Sequence, residues 1–128
     1  MQRQATKKVL AVLDDLFFTV KIKDAANRAG LAVEFVKTEA EVLERAREQP
    51  TVIVVDLNTT TVQPLDLIAK LKASDELRKI SVIGYVSHVQ GELKQKAHEI
   101  GCDMVLARSA FSQNLPQIFK RHAGLLAG

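Results

Sequence analysis

Thr51-Val-Ile-Val-Val-Asp56-Leu-Asn58 decides the fold. Four consecutive β-branched apolar residues run into one carboxylate and then into the polar loop Asn58-Thr-Thr-Thr61, with Pro50 in front. A run with no polar alternation expects burial on both faces, the mark of an inner strand of a parallel sheet. An acid where such a strand ends stands at the carboxyl edge of the sheet, where open α/β folds keep their chemistry. Asp56 could also simply hydrogen-bond the turn that follows it.

Outward from this strand, apolar runs and helical patterns alternate. Lys8–Leu13 reads as the first strand, with Phe18, Ile22, Ala25 and Ala29 at helical spacing and Gly30 as the stop. Ala32–Val36 is the second strand. Thr38-Glu-Ala-Glu41 is a capping box opening a helix that carries Val42, Leu43 and Ala46 and ends by Pro50. Pro64 opens a helix with Leu67, Ile68 and Leu71 inward. Ser81–Val86 is the fourth strand; Leu93, Ala97 and Ile100 mark a helix closed by Gly101. Met104–Ala107 is the fifth strand, followed by a helix with Leu115, Ile118 and Phe119. The expectation is α/β, a doubly wound five-stranded parallel sheet covered by helices on both faces. Residues 1–128 read as one domain, with nothing left for an output domain.

Composition narrows the function. The chain has 47% apolar and 26% charged residues, a net charge of +3, one Tyr, five Phe and no Trp. Its basic residues are spread over the helices with no interleaved aromatics, which argues against nucleic-acid binding. No apolar run approaches the roughly 20 residues of a membrane helix. The segment Met1–Lys8 lacks a signal-peptide pattern. The lone Cys102 excludes an internal disulfide and fits a reducing cytoplasm. His98 and His122 lack zinc-ligand spacing. No nucleophile–base pairing or glycine-rich loop suggests an enzyme. A flavin phosphate would sit after strand one, where Asp14 and Asp15 would repel it.

The strand ends bring Asp14 and Asp15, Asp56, Ser87 and His88, and Arg108 and Ser109 towards one crevice. Carboxylates packed there repel unless a cation joins them. They suit Mg²⁺, which takes one or two carboxylates, waters and a phosphate oxygen. Asp14 and Asp15 also stand where acids cap a helix, and Arg108 can neutralise the crevice by pairing with Asp56.

Over essentially its whole length the chain resembles the receiver domains of two-component response regulators, of the CheY-like superfamily. The resemblance implies the (βα)5 flavodoxin-like receiver fold with strand order 2-1-3-4-5. It implies Asp56 as phosphoacceptor in a phosphorelay, Asp14, Asp15 and Asp56 as the Mg²⁺ site, and Arg108 in contact with phosphate or carboxylate. Partners would be a histidine kinase or phosphotransfer protein and a downstream protein target, in the cytoplasm. That target would dock on the fourth helix, fifth strand and fifth helix. The chain also departs from the family pattern. Ungapped matching puts Leu13 on one acidic position, and the strand-four switch hydroxyl falls on Val86, with Ser87 the nearest substitute. The strand-five aromatic falls on Val105, the family lysine on Arg108 and the following proline on Ser109. Such departures mark an atypical or pseudo-receiver, for which the alternative is a phosphorylation-independent interaction or scaffold module.

Overall fold

The computed structural model describes residues 7–87 and 91–124. His88 and most of the N-terminal segment lie outside the described residues.

Five strands and five helices alternate: β1 (Lys8–Val12), α1 (Leu16–Arg28), β2 (Ala32–Val36), α2 (Glu39–Ala46), β3 (Val52–Asp56), α3 (Pro64–Ala73), β4 (Ser81–Val86), α4 (Gly91–Glu99), β5 (Met104–Ala107) and α5 (Arg108–His122). All strand pairs are parallel, in the order β2-β1-β3-β4-β5. This is the expected doubly wound receiver topology. Val52, Ile53, Val54 and Val55 are each 0% exposed, so β3 is covered on both faces.

Alternation along the strands divides the interior into two layers. Leu10, Val12, Ile53, Val55, Val82, Val86 and Val105 face α2, α3 and α4, meeting Val42, Leu67, Ile68, Leu71 and Ala97. Val9, Ala11, Leu13, Val52, Val54, Ile83 and Tyr85 face α1 and α5, meeting Phe18, Ile22, Phe111, Leu115 and Phe119. The first layer is aliphatic apart from Cys102. Phe18, Phe35, Tyr85, Phe111 and Phe119 all belong to the second.

Two helix boundaries and one cap differ from expectation for local reasons. Helix α2 stops at Ala46, short of Pro50, because the chain tightens through bonds from Glu48 N–H to Arg45 O and Gln49 N–H to Ala46 O; Gln49 then turns at φ 58°. In its capping box Thr38 accepts from Glu41 N–H, while Glu41 reaches back to Lys37 N–H rather than to Thr38. Helix α5 starts at Arg108 with no connecting residue after β5, so Arg108 and Ser109 are helical rather than loop.

Candidate functional site

The carboxyl ends of β1, β3, β4 and β5 lie along one edge of the sheet. Asp56 is the last residue of β3 and is half-buried. Val52 and Val54 face α1 and α5, so Asp56, two residues further on, faces the same side. Its Oδ1 accepts from Asn58 N–H at 2.9 Å, and its carbonyl accepts from Thr59 N–H. Asn58 Oδ1 in turn accepts from Ser87 N–H at 2.7 Å, tying the β3 loop to the end of β4. Burial holds the Asp56 carboxyl above the ordinary aspartate range. The Asn58 N–H and the Arg108 charge oppose that rise, while Asp14 and Asp15 add to it.

Asp15 and Arg108 form the second part of the site. Asp15 is the N-cap of α1: its Oδ1 accepts from Phe17 N–H at 2.9 Å and Phe18 N–H at 3.4 Å. Its Oδ2 accepts from Arg108 Nη2 in a close ion pair. The Arg108 guanidinium lies over the Phe18 ring, 4.5 Å from its centroid, where the ring face attracts a cation. The sequence left Arg108 between Asp56 and a phosphate; the structure gives it to Asp15.

Asp14 is exposed beside the cap. Among the described residues no three acidic, histidine or cysteine side chains gather as a ready metal site. A magnesium ion needs fewer: one or two carboxylates and water suffice. Exposed Asp14 and half-buried Asp56 fit that donor set, whereas both Asp15 oxygens already have protein partners.

Ser87 lies just past β4 and is exposed. With Phe17, Phe18, Arg108, Ser109 and Ser112 it lines a shallow cleft of about 330 Å³. Val86 and Val105, at the family's switch positions, are buried in the aliphatic layer.

Two features escaped the sequence reading. Tyr85 pairs in register with Asp56, is 1% exposed, and its hydroxyl has no hydrogen-bond partner among the described residues. Its ring stacks on Phe111 at 4.7 Å and meets Phe18 edge-on at 5.0 Å. The other is an apolar strip on α1: Leu16, Phe17 and Val20 are 80%, 64% and 66% exposed. Their positions alternate with buried Phe18 and Ile22 and were legible as a second apolar helix face. The docking surface expected on α4, β5 and α5 has no comparable exposed apolar group among the described residues.

No family profile matches the chain. The polar-differentiation response regulator DivK of Brucella ovis is 24% identical over 120 residues, 93% of this chain and 98% of that protein. Among solved structures, the chemotaxis response regulator CheY4 of Vibrio cholerae superposes with a TM-score of 0.77 at 20% identity, covering 92% of this chain and 99% of that one. The receiver domain of the sensor histidine kinase PA1611 of Pseudomonas aeruginosa, with magnesium coordinated in its active-site cleft, superposes with a TM-score of 0.77 at 20% identity, covering 94% and 99%. The chain has the receiver-domain fold of the response regulators and is similar to them over more than nine-tenths of its length.

Proposed function

We propose that this domain is a cytoplasmic receiver of atypical type in two-component signalling. It takes a phosphoryl group on Asp56 from a histidine kinase or phosphotransfer protein and signals through protein contacts rather than catalytic turnover. The observation that carries this reading is the half-buried Asp56 at the carboxyl edge of β3, acted on by the charges of Asp14, Asp15 and Arg108. Asp56 Oδ1 is held by Asn58 N–H, which orients the carboxylate and leaves Oδ2 for attack on phosphorus. A P–O bond forms as the P–N bond to the donor histidine breaks. Bound Mg²⁺, held by Asp14 and Asp56, would neutralise charge on the transferring oxygens. Arg108 is the fixed cation beside it, and Asp15 joins the ion only if Arg108 lets go. The exposed Leu16, Phe17 and Val20 offer a partner its apolar contact.

A titration with Mg²⁺ and beryllofluoride tests this. The Asn58 and Ser87 amide signals should shift and saturate in the wild type and stay fixed in Asp56→Asn. A wild type whose amides do not respond refutes phosphorylation.

One observation favours the interaction-module alternative. Arg108 already neutralises Asp15, and both switch positions are buried valines. Under that reading a captured partner binds Asp56→Asn as tightly as the wild type. A large loss of binding in the folded variant excludes it.

A further inference from the structure

The chain's one tyrosine stands beside the acid that the proposed function relies on, on the neighbouring strand. Asp56 and Tyr85 are Cα partners across β3 and β4, and both face the α1/α5 side. The Tyr85 ring is enclosed by Phe111 and Phe18; Phe18 carries the Arg108 guanidinium, which Asp15 holds. The phenol is thus walled by apolar rings, and the charges that act on it, Asp56, Asp15, Arg108 and Asp14, are those of the crevice. Its hydroxyl is buried and unpartnered among the described residues. Burial, with Asp56 and then Asp15 adding to it, pushes its ionisation far up, so it remains an O–H donor at any physiological pH. A phenylalanine would fill the same space without leaving a polar atom unbonded. The hydroxyl therefore lacks an acceptor that another form of the site can supply.

We infer that the Tyr85 hydroxyl donates to the phosphoryl group carried on Asp56 and, through its contacts with Phe111 and Phe18, reports that loading to the first turns of α5 and α1. This rests on the reading of Asp56 as a phosphoacceptor. An acyl phosphate brings acceptor oxygens and negative charge to the register neighbour of Tyr85. The ring that carries the donor is stacked on Phe111, so a shift of the phenol towards them would be felt by that ring. Phe111 lies in the first turn of α5 and Phe18 in that of α1. A hydroxyl and an aromatic ring thus act from one side chain, where Val86 and Val105 offer neither. Tyr85 is a positioning residue whose donor is used only by the loaded site.

With no tryptophan and a single tyrosine, Tyr85 is its own spectroscopic probe. Mg²⁺ and beryllofluoride are titrated into labelled protein while the Tyr85 ¹³Cζ signal, the tyrosine fluorescence and the Asn58 amide are followed together. The Tyr85 signals should move with the same midpoint as the Asn58 amide, and neither should move in Asp56→Asn. In Tyr85→Phe, which keeps the ring and so the packing, the Asn58 amide should still respond. Its midpoint should weaken roughly tenfold, the factor of one charge-assisted hydrogen bond, and the Phe111 ring signals should no longer shift. An Asn58 amide that responds while Tyr85 stays silent, or a Tyr85→Phe midpoint equal to wild type, overturns this inference and leaves the phosphoacceptor reading standing. A wild-type Asn58 amide that does not respond overturns both.

Discussion

The two interior layers of this sheet are built from different materials. Against α2, α3 and α4 the sheet packs only aliphatic side chains and one cysteine. Against α1 and α5 it packs Phe18, Tyr85, Phe111 and Phe119, and the polar irregularities of the crevice collect there. These are the unpartnered phenol, the guanidinium over a ring, and the half-buried Asp56. An aliphatic layer fills volume without directional demands. An aromatic layer places ring faces and one hydroxyl at defined angles, which is what a charged crevice above it can use. Both layers contribute stability, and on the proposed reading only the aromatic one also carries the response.

Truncation separates them most strongly. Leu71→Ala and Phe111→Ala remove side chains that are each 0% exposed and should cost about 2–5 and 3–5 kcal/mol in urea unfolding. Only Phe111→Ala should also alter the response of the Asn58 amide to beryllofluoride. An equal effect from Leu71→Ala breaks the division. A smaller loss is expected for Asp15→Ala, which deletes the α1 cap and the Arg108 partner together and should cost about 1–2 kcal/mol. Asp15→Asn keeps a capping oxygen and should recover most of it, leaving a residue of about 0–1 kcal/mol for the ion pair that vanishes in high salt.

Asp56 gives a pH signature. Its folded carboxyl holds a proton more tightly than the unfolded chain does, so its contribution is favourable when protonated and is lost as pH rises through the raised folded value. At neutral pH the ionised acid is therefore a cost, and Asp56→Asn should melt higher than wild type. The gap should close on acidification through the aspartate range. A gap that widens instead reverses the sign of the argument. Tyr85→Phe sharpens the comparison with the smallest effect. Replacing an unbonded hydroxyl by hydrogen should leave the melting point unchanged or slightly raised, within about 1 kcal/mol. A marked destabilisation would mean that the hydroxyl already has a partner in the resting domain.

The sheet was legible because strands buried on both faces read as unbroken β-branched runs, and Val52–Val55 admit no other reading. Asp56 was legible because its place at the end of such a run is a matter of chain order alone. Which carboxylate Arg108 would meet was not. Asp15 is 93 residues away in the chain, and only the direct passage from β5 into α5 aims the guanidinium at the α1 cap. Tyr85 was passed over because a tyrosine inside a buried strand looks like core. Its importance comes from the β3–β4 register, which no local pattern encodes. The exposed strip on α1, though legible, was missed for a related reason. Phe17 and Phe18 are neighbours in sequence, and apolar spacing was assigned to the inward face only. The aliphatic side of the sheet held fewer such surprises, because nothing in it depends on direction.

Gly84, on the aliphatic side of β4, leaves no room for a larger residue. A Cβ there would come within 2.9 Å of Leu57 Cδ1, and Leu57 follows Asp56 directly while donating its N–H to Tyr85 O. A single added methyl at residue 84 would therefore force the Leu57 side chain, next in sequence to the acid, to shift. Bulk on the aliphatic side of the sheet is thus felt one residue from the crevice, with every polar atom left in place.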